Sequence, residues 1–333
     1  MKAFAVRSGF GLDQLGFIDL PEPTAGPGQV LVKVRAAALN YRDLLLAKGQ
    51  YNPRLKLPRV LGSDAAGEVV AVGEGVSRFK VGDAVVGCFM PNWTDGPITG
   101  AKATPTYGNE IDGVLTEFLA IPEAGAVPLP AGLNFAEGAT LPCAAVTAWN
   151  ALAGCGPSST VLLQGTGGVS VFALQFAKAL GARVLITSSS DTKLARAIGM
   201  GADVGVNYRA NPDWDKWARE QTGGAGVDVV VEVGGAGTLE RSARAVKVGG
   251  NIALIGVLAG AGSFNPIQVL MKAVTVRGIF VGSRAMFEAM NATIAGKGIP
   301  PVIDREFRFA ESAEAFRHLD SGSHFGKVVV EIS

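Results

Sequence analysis

Gly165, Gly167 and Gly168 close the apolar run Val161-Leu162-Leu163-Gln164 and lead at once into Val169-Ser170-Val171-Phe172-Ala173-Leu174. An apolar run, a glycine turn and then a helical period read as strand, turn and helix. Such a turn lets backbone come close to a ligand. The helix behind it, from Val169 onward, offers unpaired N–H groups and a positive dipole end to a pyrophosphate. The chemistry implied is dinucleotide binding. The strict fingerprint carries glycine where Ser170 stands, but that position chiefly needs a small side chain where helix meets sheet.

Cofactor choice follows from charge. The second strand of the motif, at 183–187, runs into Ser188, Ser189 and Ser190, with Lys193 close behind. A site for an unphosphorylated ribose ends that strand with an acid, which accepts from the 2′-hydroxyl and repels a 2′-phosphate. Hydroxyls and a cation suit the phosphate. NADPH is therefore the expected cofactor, with NADH binding more weakly. Asp191 reads as the N-cap of the next helix.

These residues need elements to hold them. From residue 160 strands at 161–164, 183–187, 204–208, 227–233, 251–255 and 274–281 alternate with helical candidates at 169–180, 191–199, 213–221 and 237–246. That rhythm is the signature of a doubly wound parallel sheet in an α/β chain. Ahead of it, 29–35 alternates as a half-buried strand, 67–86 holds short strands joined by glycine turns, and 113–121 reads as another strand. Residues 90–112 have no period and are expected to form a loop or lobe. The helical pattern of 133–152 is expected to break near Pro142. A helix at 311–319 and a strand at 327–332 return the chain to its first part. The expected domains are 1–123, 124–281 and 282–333.

Composition narrows the class. With 30 basic against 29 acidic side chains, a net charge of +1 and no block of like charges, nothing recruits nucleic acid or a membrane surface. The apolar start is too short for a signal peptide, and a soluble cytoplasmic protein acting on a small-molecule substrate is expected. Cys88, Cys143 and Cys155 lack Cys-x-x-Cys spacing, which points to reduced thiols.

Several stretches carry a resemblance: Ala38-Leu39-Asn40-Tyr41-Arg42-Asp43, Gly62-Ser63-Asp64-Ala65-Ala66-Gly67-Glu68-Val69, Val81-Gly82-Asp83-Ala84-Val85, Leu141-Pro142-Cys143-Ala144 on to Ala148, and the glycine turn. Over nearly its whole length the chain resembles the medium-chain dehydrogenase/reductase superfamily, in its zinc-free quinone oxidoreductase-like branch. The resemblance implies a GroES-like β-domain that supplies the substrate site and a Rossmann domain that holds the nicotinamide cofactor, with the active site in the cleft between them. It also implies that Lys193 and Tyr208 flank the 2′-phosphate and that Lys327 approaches the pyrophosphate. Phe280 and Val281 match an edge strand facing the nicotinamide amide, and Thr147 falls in a matching stretch near the cofactor.

In the zinc enzymes of the superfamily a Cys, a His and a second Cys hold the catalytic metal. Asn40 and Ser63 stand at the first two of these positions, and only Cys143 survives. A catalytic zinc needs about three protein ligands, so no metal is expected. Hydride addition to a carbon conjugated to a carbonyl needs donors for the oxygen and a proton source instead. Asn40, Tyr41 and Tyr51 are the catalytic candidates, and Tyr51 matches a tyrosine linked to protonation in the family's enoyl reductases. The reading is an NADPH-dependent reductase of quinones or α,β-unsaturated carbonyl compounds. Its rivals are an alcohol dehydrogenase and a non-catalytic NADPH-binding structural protein. The resemblance implies a homodimer, in which the strand at 274–281 would lie at a sheet edge whose exposed apolar side invites pairing with its twofold mate.

Overall fold

The computed structural model describes residues 1–256, 258 and 262–333. The chain groups into two compact units, 1–146 with 282–333 and 147–281. In chain order the first unit holds β1 (Lys2–Val6), β2 (Leu15–Asp19), β3 (Gln29–Leu39), α1 (Tyr41–Ala47), β4 (Arg59–Val60), β5 (Asp64–Val72), β6 (Ala84–Gly87), α2 (Gly100–Ala103), β7 (Phe118–Pro122), β8 (Ala126–Pro128) and α3 (Phe135–Ala139). One π-helical turn over Leu141–Ala145 then joins α3 to α4 (Val146–Ala151). This is the break expected at Pro142, which cannot donate to the helical ladder. Residues 124–146, expected with the nucleotide-binding part, group with the first unit because α3 packs on β3 and β5.

The second unit alternates as the sequence rhythm requires: β9 (Thr160–Gln164), α5 (Gly168–Ala179), β10 (Arg183–Ser188), α6 (Asp191–Gly199), β11 (Val204–Asn207), α7 (Trp214–Glu220), β12 (Val227–Glu232), α8 (Leu239–Ala245), β13 (Val246–Leu254), α9 (Ile267–Met271) and β14 (Thr275–Gly278). The chain then returns to the first unit through α10 (Arg284–Lys297), β15 (Ile303–Arg308), α11 (Ser312–Asp320) and β16 (Lys327–Glu331).

The first unit is built on a seven-stranded sheet whose main path runs β15-β16-β3-β5-β6-β8, with β7 also paired to β3, and on a smaller sheet β2-β1-β4. Along β3 the buried Val30, Val32 and Val34 line the core with Phe4, Leu44, Phe316 and Val330. The β3–β5 register shifts between Val34 and Ala36. Gly67 sits beside that irregularity, where a Cβ would lie 2.2 Å from the Lys33 carbonyl oxygen, so only glycine permits the approach.

In the second unit the six strands are parallel and ordered β11-β10-β9-β12-β13-β14. The central strands are buried on both faces, which explains their continuous apolar runs. Leu162, Leu185, Val230 and Ile252 pack with Trp214 beneath α7 and α8. The last strand ends at Gly278 and not at 281, and Val281 itself adopts φ +56°, outside strand geometry. Likewise the run at 79–86 forms a strand only from Ala84: the Lys80 N–H donates to the Asp83 carboxylate at 2.9 Å, closing a turn first. No helix among the described residues is long and apolar enough to cross a membrane.

Candidate active site

Asn40 lies between β3 and α1, as the N-cap of the helix. Its N–H donates to the Asp43 carboxylate at 2.8 Å, so that acid closes the first helical turn and leaves the Asn40 amide for other work. The amide Nδ2 donates to Ser63 Oγ at 3.2 Å, and its Oδ1 accepts from Lys327 Nζ at 2.6 Å. An ammonium can only donate, so Lys327 fixes which end of the amide faces which neighbour. Ser63 in turn donates to Asp64 Oδ1 at 2.8 Å. Asp64 Oδ2 accepts from the Cys143 N–H at 3.0 Å and stands 3.8 Å from the Lys327 ammonium. Lys327 also donates to the Leu39 carbonyl at 2.8 Å.

Burial sets the protonation of this cluster. It pushes Asp43 up to about 6, with Arg42 pulling the other way. Asp64 is raised as well, first by burial and against the pull of Lys327. The Cys143 thiol is raised by burial and then by the charge of Asp64, which disfavours the thiolate. Loss of hydration is the larger cause for each.

The sequence candidates fall into different places. Tyr51 joins the cluster only indirectly: the Arg42 guanidinium lies 5.2 Å from its ring centroid and 4.9 Å from that of Phe89, while donating to the Tyr107 carbonyl at 2.9 Å. Tyr51 is 40% exposed. Tyr41, 43% exposed at the start of α1, makes no hydrogen bond to the cluster. Lys327, expected at the pyrophosphate, is only 3% exposed inside the first unit. Its ammonium is held by Leu39 and Asn40, where it offsets the buried acids.

This donor set does not fit a catalytic zinc. The Asn40 oxygen is taken by an ammonium, Ser63 gives its proton to Asp64, and Cys143 is held as a thiol. A cation is already seated among the groups that would have to bind one.

The nucleotide candidates line the C-terminal ends of the parallel strands of the second unit, where α/β sheets bind ligands. Gly165 follows β9 with φ +71° and open space where a Cβ would project. Gly167 caps α5 without a side-chain bond, leaving the first N–H groups around Gly168 and Val169 open to an anion. These features fit a nicotinamide dinucleotide. Beyond β10, Ser188 is buried and accepts from the Ser190 N–H at 3.4 Å, whereas Ser189 is half-buried. Ser190, not Asp191, caps α6, and Asp191 accepts from Asn207 Nδ2 at 2.8 Å. Lys193 lies in the first turn of α6, and Tyr208 follows β11 exposed. Thr147 is buried in α4. Phe280 is exposed past the end of β14, and Val281 beside it is buried.

A further network went unread in the sequence. Glu232, fully buried at the end of β12, accepts from the N–H groups of Gly234 at 2.8 Å and Gly235 at 2.9 Å, from the hydroxyls of Thr238 and Ser242, and from Gln164 Nε2 at 2.8 Å. It ties the ends of β9 and β12, the neighbours at which the strand order reverses. The available signal was an acid and an amide at the C-terminal ends of two strands whose preceding three residues are all apolar.

A GroES-like β-unit and a doubly wound unit with a nucleotide turn define an oxidoreductase that uses a nicotinamide cofactor. Residues 26–131 match the family model for the alcohol dehydrogenase GroES-like domain, and 168–296 that for zinc-binding dehydrogenase. A zinc-type alcohol dehydrogenase-like protein of Schizosaccharomyces pombe is 45% identical, over 97% of this chain and 96% of that one. An acryloyl-coenzyme A reductase of Metallosphaera sedula is 31% identical, over 94% and 95%. Among solved structures, an NAD-dependent alcohol dehydrogenase aligns with TM-score 0.91 at 35% identity over 100% of both chains. A mycobacterial protein solved with NADPH aligns with TM-score 0.84 at 27% identity over 99% of both. The chain belongs to the medium-chain dehydrogenase/reductase superfamily.

Proposed function

We propose that the protein is a metal-free reductase that uses NADPH to reduce quinones or α,β-unsaturated carbonyl compounds. The observation that carries this reading is the Asn40 amide, held by Lys327 and Ser63 at the position where the zinc enzymes place a ligand. The cofactor, when bound, supplies hydride. A conjugated acceptor takes it at carbon and moves charge onto oxygen, so the protein must stabilise an oxyanion and provide one proton. The Asn40 amide NH₂, held against Ser63, is the donor assigned to that oxygen. Tyr51 supplies the proton from its hydroxyl, its ring steadied by Arg42. The acryloyl-coenzyme A reductase relative, named for a conjugated substrate, supports this class.

The test is a panel of enones, quinones and simple alcohols run with NADPH and NADH on chelator-treated protein, following absorbance of the reduced cofactor. Oxidation of NADPH by enones or quinones without added metal is the expected result. Turnover of alcohols alone, restored by zinc, would overturn the reading.

We also propose a homodimer. β14 is an edge strand with Val276 exposed, and in the preceding α9 Leu270 and Met271 are 74% and 72% exposed. A second copy would cover this edge. A monomeric mass by solution scattering at micromolar concentration would remove the idea.

A further inference from the structure

Val281 follows the edge strand β14 with φ +56°, a left-handed conformation that a β-branched residue enters only at a cost. It is 5% exposed. Its carbonyl accepts from Asn150 Nδ2 at 2.7 Å. Asn150 is itself gripped by one guanidinium: Arg277 Nη1 donates to Asn150 Oδ1 at 2.9 Å, and Nη2 donates to the Asn150 carbonyl at 2.6 Å. With the planar fork fixing both its side-chain oxygen and its carbonyl, the Asn150 amide can present its NH₂ only toward Val281. The Val281 N–H has no acceptor among the described residues. A buried, unpaired amide costs about as much as a lost hydrogen bond. Strain and an orphaned donor at one residue point to a ligand that uses the donor.

We propose that Asn150 and Arg277 are positioning residues that hold Val281 in its left-handed conformation, so that its N–H is ready for the carboxamide of a nicotinamide ring. The proposal rests on the nicotinamide-cofactor reading and adds to it the device that maintains the geometry. Released from Asn150, Val281 relaxes toward extended backbone and its N–H swings away.

Asn150→Asp separates this role from simple packing. The variant keeps its size and its bonds from Arg277 but sets an oxygen against the Val281 carbonyl. NADPH affinity, read by fluorescence titration, is expected to fall about tenfold. Affinity for 2′,5′-ADP, which ends before the nicotinamide, is expected to stay at the parental value. Val281→Gly added to Asn150→Asp is expected to recover most of the loss, since glycine takes φ +56° without strain. Equal losses for NADPH and 2′,5′-ADP, no loss at all, or no recovery with glycine would each overturn the proposal. Failure of the parental protein to bind NADPH or NADH would overturn the cofactor reading, and this one with it.

Discussion

Around Asn40 most polar groups are bonded to one another: the Asn40 amide, the Ser63 hydroxyl, the Lys327 ammonium and the Asp64 carboxylate are linked side chain to side chain in a buried setting. At the strand ends of the second unit, the groups left for a ligand are largely backbone, from the φ +71° turn at Gly165 to the uncapped start of α5. The difference shows two ways of preparing a site. A backbone cradle tolerates many side chains and recognises a large charged ligand by shape and dipole. A cluster of buried side chains is sensitive to each member, because removing one leaves its partner's charge or donor unsatisfied.

Substitutions can break or sharpen that contrast. The largest effect is expected at Tyr51, the exposed outlier of the first region. Tyr51→Phe should lower enone turnover by about 10²–10⁴-fold while NADPH affinity holds, because general acid assistance is of that order. Quinones should suffer less, since a hydroquinone anion takes its proton from water. Steady-state rates at the parental level for both substrate classes would return Tyr51 to a packing role.

Next comes Lys327→Met. If Lys327 belongs to the interior of the first unit, its loss leaves Asp64 without its offsetting charge and should destabilise the protein by about 3–5 kcal/mol. Thermal unfolding checks this. An unchanged midpoint with weaker NADPH binding would move Lys327 to the cofactor and erase the contrast drawn here.

Lys193→Ala probes the other side. A lost charge-assisted contact should weaken NADPH about ten- to hundredfold and leave NADH nearly unaffected. Parallel losses for both cofactors would show that Lys193 does not read the 2′-phosphate.

The smallest effect concerns Asp43. Its folded pKa lies at about 6 against an ordinary 3.8, so its contribution to stability is present at low pH and lost as pH rises through about 6. Relative to Asp43→Asn, the parental protein should lose about 1.3 kcal/mol between pH 5 and pH 7. Denaturant midpoints for the pair at both pH values measure it. No difference between the two pH values would mean that Asp43 already ionises in the folded chain well below pH 5.

Legibility in the sequence followed the same division. The glycine turn, the strand–helix alternation and the break at Pro142 are local patterns, and each appears in the structure near its expected position. The partnership of Lys327 with Asn40 spans 287 positions, so residue types alone could place the lysine only by resemblance. Asp191 was read as a cap because acids favour that place, but Ser190 fills it, one residue earlier. The end of β14 was misjudged because Phe280 and Val281 have strand-forming side chains. Val281 instead takes a left-handed backbone angle, with its carbonyl bonded to Asn150, far away in the chain.

The path of the chain sets an order on how the protein comes into being. The second unit is one uninterrupted segment, so all of it has been made before β16, which pairs with β3. A chain still emerging from the ribosome therefore carries a finished parallel sheet behind an unfinished β-unit. In that interval β3 shows an unpaired edge, and Asp64 awaits the ammonium that allows it to be enclosed. Until β16 is made, the first unit lacks both the strand that completes its sheet and the ammonium that offsets its buried acid.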